Sequence, residues 1–167
     1  MDITGTLKWD VDKLVDAMHM DKEDVIKYFK DGRRISFILE RRICKEVLGG
    51  KLPESEGAWF DLFDADGEKW EVRSVTAGGT YFCPSSMVGA GRNFDEDGFV
   101  KKLEGIKGYI LADITKFPEV EYWSVDSYEV IGMYLDGKIS RTTQVSRDKV
   151  IELTKPSLQL KLWDEIK

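Results

Sequence analysis

The chain has 167 residues, 42% of them hydrophobic, which suits a single globular domain with at most a small appendage and is too apolar for a disordered chain. No apolar run approaches the ~20 residues of a membrane span, the start Met1-Asp2-Ile3-Thr4-Gly5 has no secretion-signal pattern, and Cys44, Cys83 and His19 are too few for a disulfide framework, a zinc site or an ordinary Ser-His-Asp triad. A net charge of −6 excludes coating of nucleic acid by bulk positive charge.

Asp10 is a good N-cap, followed by Val11, Leu14, Val15 and Met18 at helical spacing. Asp21 opens a second short helix with Val25, Ile26 and Phe29 on one face, and Asp31-Gly32 stops it. The pair resembles a helix-turn-helix, with Ala17 and Met20 near the turn and Lys22, Lys27 and Lys30 exposed, although a helical hairpin packed on the core is the plainer reading. Residues 1–34 are therefore expected as an N-terminal helical subdomain for dimerisation or DNA contact, and 35–167 as the main core. Arg33, Arg34, Arg41, Arg42 and Lys45 cluster near the next helix, and Arg141, Arg147 and Lys149 form a second group. Such patches either hold phosphates or are solvated helix faces.

A third helix is expected from Ile35 to Leu48, ending at Gly49-Gly50. A hairpin follows, with Asp61 on its first strand, a turn at Asp66-Gly67, and Lys69 to about Thr76 on its second. Further strands are expected at Thr80–Pro84, Tyr109–Ile114, Tyr122–Ser127 and Tyr128–Leu135, the last ending in a turn at Asp136-Gly137. Helices are expected near Phe99–Ile106 and at Arg147–Thr154. This mixture predicts an α/β (α+β) fold, a mixed β-sheet flanked by helices. The tryptophans, Tyr81, Tyr109 and Tyr122 are expected in the core, and Cys83 as a buried thiol.

The chemistry concentrates in the hairpin. Alternate strand residues share a face, so Trp70 and Val72 point to a core while Lys69, Glu71 and Arg73 point the other way, with Asp61 close on the partner strand. Two close carboxylates repel one another and invite a cation. Oxygen ligands suit Mg²⁺, which also binds substrate phosphates and can activate water for phosphodiester hydrolysis.

An Asp about ten residues before Glu-x-Lys, across a hairpin with Gly in the turn and an aromatic before the Glu, resembles the PD-(D/E)XK nuclease superfamily, and in particular small type II restriction endonucleases. The similarity spans roughly residues 35 to 135, where the order of helix, hairpin, strand, helix and strand also matches a restriction-endonuclease-like core. The resemblance implies Asp61 and Glu71 as metal ligands, Arg73 in the place of the family's Lys, and Glu40 as an accessory acid. Phe60 stands where the name-giving Pro would be. Arg73 can pair with phosphate oxygens but cannot act as a base, and Lys69 shares its face and is a second candidate for the lysine's role.

The implied function is a Mg²⁺-dependent DNA endonuclease, sequence-specific and homodimeric on double-stranded DNA. The alternatives are a catalytically impaired nuclease-fold DNA-binding or regulatory protein, and an unrelated interaction domain. Ser74, Thr76, Thr80, Ser85 and Ser86 suit contacts to DNA phosphates, while Arg92, Asn93 and Arg141 are candidates for DNA contact. These segments read equally well as simple flexible connections. The expected compartment is the cytoplasm.

Overall fold

Five strands and six α-helices are formed by the described residues, 2–55, 57–141 and 144–155 of a computed structural model. In chain order they are β1 (Thr4–Lys8), α1 (Val11–Met18), α2 (Lys22–Phe29), α3 (Gly32–Arg42), β2 (Leu62–Phe63), β3 (Lys69–Val75), α4 (Glu96–Glu104), β4 (Gly108–Asp113), β5 (Glu119–Asp126), α5 (Ser127–Leu135) and α6 (Arg147–Thr154). The strands make one mixed sheet in the order β1-β5-β4-β3-β2. The β3–β4 pair is parallel, and the β1–β5, β4–β5 and β2–β3 pairs are antiparallel. Parallel neighbours need a crossover, and α4 supplies it. No helix among the described residues is long and apolar enough to cross a membrane.

The period-two rule divides the sheet into two buried faces. Trp70 and Val72 of β3 join Ile110 and Ala112 of β4 on the face covered by α2 and α3, through Val25, Phe29, Ile35 and Leu39. Val75 of β3 with Tyr109 and Leu111 of β4 meet Phe99 and Leu103 of α4, Val130 and Met133 of α5, and Val150 of α6 on the other. β4 is buried along its whole length, as a central strand covered on both faces must be. The helical hairpin α1–α2 shares its core with the sheet and with α3.

Several helix ends follow their sequence signals. Asp10 accepts the Lys13 N–H at 3.1 Å. Asp31 accepts the Arg33 N–H at 3.0 Å, so it caps α3, which begins at Gly32 rather than at Ile35. A π-helical turn, Ile43–Val47, completes α3.

Two expectations need correction. Tyr128–Leu135 is helix α5, not a strand. Asp126 caps it by accepting the Tyr128 N–H at 2.8 Å, Val130 and Met133 are buried at helical spacing, and Tyr128 and Leu135 are exposed. The turn expected at Asp136-Gly137 is present, with Gly137 at φ 69°, and it ends that helix. Thr80–Pro84 forms only an isolated bridge, Thr80 to Val145. The sequence reading also has no counterpart of β1, whose alternation TGTLK is too polar to stand out until it pairs with β5.

Helix α6 is tied to the sheet by Arg147, whose guanidinium donates to Asp113 Oδ2 at 2.6 and 3.1 Å, while Thr115 donates to Oδ1 through its N–H and hydroxyl. Burial pushes the Asp113 carboxyl up, but the Arg147 and Thr115 hydrogen bonds outweigh it and hold it below the usual range. A depressed folded value contributes stability above the unfolded value of about 4 and loses it as pH falls. Asp113→Asn is expected to cost about 2 kcal/mol at pH 7, Arg147 being part-exposed. In urea unfolding, the gap to the wild type should close as pH drops below about 4.

Candidate active site

The hairpin turn is built by Asp64. Its Oδ1 accepts the N–H groups of Asp66 and Glu68 at 2.9 Å each, its Oδ2 accepts the Trp70 indole N–H at 2.8 Å, and Gly67 takes φ 83°. This anchors the register that pairs Leu62 with Trp70. Asp61 lies one residue before β2. Its N–H donates to the Trp70 carbonyl at 3.1 Å and its Oδ2 accepts the Val72 N–H at 2.7 Å, so the side chain continues the ladder where the strand stops.

Glu71 is 2% exposed, although a lone carboxylate at that depth would be costly. Two cations offset it. Arg73 Nη2 donates to Glu71 Oε1 at 2.6 Å, and Lys102 Nζ donates to the same oxygen at 2.7 Å. The other oxygen, Oε2, is buried with no hydrogen-bond partner, and so is Arg73 Nε. Buried unpaired groups of this kind are rare in native proteins and call for a partner such as a water or an ion, or for a catalytic role.

The neighbouring acids register the crowding. The Asp61 carboxyl is pushed up to about 6, chiefly by burial and next by the Glu71 charge, against the pull of Arg73 and the Val72 N–H. Glu40 of α3 is pushed up to about 7, first by burial and then by the Asp61 charge. Among the described residues, no group of three or more His, Cys, Asp or Glu is arranged to hold a metal ion, so Glu40 is coupled to the pair without joining it as a ligand cluster. Mg²⁺ requires little more than the pair, since it keeps several waters and takes phosphate oxygens as further ligands.

Asp61, Glu71, Arg73 and Lys102 line a cleft of about 880 Å³ whose other walls include Trp59, Pro84, Ser85, Ser86 and Met87. A second cleft, of about 1520 Å³, lies against α2 and α3. Arg73 and Ser85 line both. The second cleft holds six cationic side chains, Lys27, Lys30, Arg33, Arg34, Arg73 and Arg92, against three carboxylates, Glu23, Asp31 and Glu40. It is a local positive trough on an acidic protein.

The structure therefore brings together Asp61, Glu71 and Arg73 and adds Ser85 and Ser86 in the same cleft. Ser74, Thr76, Thr80, Arg92 and Glu40 line the second cleft. Thr80 is 3% exposed, and Arg92 donates to the carbonyls of Ser85 and Val88, so both also hold the loop together. Asn93 and Arg141 line neither cleft, and Arg141 instead lies over Phe94. Thr142 and Thr143 lie outside the described residues. Lys69 lines neither cleft: its ammonium sits 4.7 Å from the Trp59 ring centroid and 5.3 Å from that of Phe60. Cys83 is buried, and burial raises its thiol.

Sequence reasoning missed Lys102 and Trp59. The signal for Lys102 is the spacing Gly98, Lys101, Lys102 and Gly105, one face of α4 and its C-cap, all four of which line the cleft. Trp59, expected in the core, is 47% exposed. No protein-family model matches the chain, and no curated protein matches it.

Proposed function

We propose that this protein is a Mg²⁺-dependent endonuclease that hydrolyses phosphodiester bonds of DNA. The observation that carries the reading is the buried Glu71, one oxygen held by two cations and the other without a partner, beside an Asp61 whose carboxyl is raised by burial and by Glu71 itself. Asp61 and Glu71 would hold the metal, whose charge would relieve their repulsion. A bound Mg²⁺ supplies an activated water and offsets the charge that builds on phosphorus.

The chain's own side chains do the rest. Arg73, with guanidinium protons beyond the one given to Glu71, and Lys102, with further ammonium protons beyond the one given to Glu71, are donors for phosphate oxygens in the cleft. Lys102 thus offers an ammonium near the pair although Arg73 occupies the lysine's place on the strand. Glu40, titrating near neutrality, can hold a proton at the edge of the site. The second cleft offers its cations to the flanking phosphates. The reading extends to sequence-specific cutting of double-stranded DNA by a homodimer, because two active sites related by a two-fold axis would each take one strand.

Supercoiled plasmid incubated with the protein should be cut with Mg²⁺ and left intact with EDTA. Mg²⁺ should also raise the melting temperature of the wild type, as any ligand of the native state does, and leave that of Asp61→Ala unchanged. Uncut DNA over a range of sequences and salt concentrations, with no thermal shift, would sink the proposal.

A further inference from the structure

We propose that the cleft accepts one unstacked nucleotide of the substrate strand, its base lying on Trp59, so that cleavage occurs where a nucleotide is unpaired or has been turned out of the duplex. This rests on the nuclease reading for the identity of the ligand. Trp59 is a large aromatic left 47% exposed, next to a floor as buried as Glu71. It is nevertheless held in place. The Lys69 ammonium sits 4.7 Å from its ring centroid, Phe60 meets it edge-on at 5.3 Å, and a Cβ on Gly105 would come within 2.7 Å of the ring. A clamped ring with an open surface is a pre-organised platform, since little entropy is lost when a second aromatic system stacks on it.

The cleft is lined by apolar side chains, Trp59, Pro84 and Met87, as well as by the charged groups of Asp61, Glu71 and Lys102. A nucleotide carries both kinds of surface, an apolar base face and a charged phosphate, and a volume of about 880 Å³ lies in the range of small-molecule sites. Stacked bases of an intact duplex present only their edges to a protein, whereas an unstacked base offers its face. The strand has an exit as well, because Arg73 and Ser85 open onto the second cleft, where Lys27, Lys30 and Arg33 can follow its phosphates. Every base has a π-face, so this contact selects for unstacking and not for sequence.

The test uses a short single-stranded oligonucleotide carrying 2-aminopurine, titrated with the full chain in EDTA, where no cleavage occurs. Wild type should quench the probe and bind it roughly tenfold to a hundredfold more tightly than Trp59→Ala, with Trp59→Phe close to wild type. In Mg²⁺, wild type should cut a duplex at an unpaired nucleotide faster than the same duplex fully paired, and Trp59→Ala should lose that preference. Equal affinity of wild type and a folded Trp59→Ala for the probe would overturn the platform, even with plasmid cleavage intact. Probe binding that depends on Trp59, without cleavage of any DNA in Mg²⁺, would overturn the endonuclease reading and keep the platform. Absence of probe binding would overturn the platform, and absence of both binding and cleavage in Mg²⁺ would overturn both readings.

Discussion

Glu71→Ala is expected to lower Mg²⁺-dependent DNA cleavage at least about 10³-fold, since losing a ligand of the metal that offsets the charge building on phosphorus removes several kcal/mol of transition-state stabilisation. The same change should lower stability by about 3 kcal/mol, because Arg73 and Lys102 are left in a buried place without the carboxylate that both contact. Asp61→Asn should abolish cleavage to a similar degree with the opposite effect on the fold. Its carboxyl titrates at about 6, above the usual value, so the ionised form opposes folding at pH 7 and its stabilising effect appears only as pH falls through that value. Asparagine can still accept the Val72 N–H, so the metal-free protein should gain about 1 kcal/mol. Nicking assays give the first effect and urea unfolding in EDTA the second. If both variants shifted stability in the same direction, the charge balance described for the pair would be wrong.

Gly79→Ala is expected to destabilise the protein by about 4 kcal/mol, a large share of the 5–15 kcal/mol typical of a domain. Gly79 sits at φ 108°, and a Cβ there would lie 1.8 Å from the Val145 carbonyl oxygen. Relief would have to move backbone, breaking the Thr80–Val145 bridge, whose two hydrogen bonds measure 3.0 and 2.8 Å. Strain of about 1–3 kcal/mol for the conformation adds to about 1 kcal/mol for each lost bond. Gly78→Ala is the control: its Cβ would meet only the Gln144 side chain, at 3.0 Å, which can swing aside. That variant should fall within about 1 kcal/mol of wild type by denaturant unfolding. Because Gly79 lines the second cleft, Gly79→Ala should also weaken DNA binding at temperatures where it remains folded.

Much of the architecture was readable in the residues because the signals are local. Asp10 and the Val11–Met18 spacing mark α1, Asp64 to Gly67 turn the hairpin, and Trp70 with Val72 on one side and Glu71 with Arg73 on the other follow from the two-residue period. Where two patterns compete, the local signal fails. Tyr128–Leu135 is apolar enough to resemble a strand, and its helical cap, Asp126, is also the last residue of β5, so the cap signal falls inside the expected strand Tyr122–Ser127. β1 is the converse: five polar-leaning residues become a strand only because β5 offers an edge.

The sequence by itself determined that an acid at 61, an acid at 71 and a cation at 73 would meet across a hairpin, since turn and pleat are short-range geometry. It also pointed to the helix and the buried strand beyond the hairpin, but it placed ahead of them a strand at Thr80–Pro84 that is only a bridge. Only the tertiary structure decided that Glu71 would be almost fully buried, that Lys102 would reach it, and that Lys69 would turn away to Trp59. The reason is the parallel β3–β4 pair. It forces α4 to cross the face of the sheet on which Glu71 and Arg73 project, and that crossing buries the acid and sets a lysine 31 residues away against it.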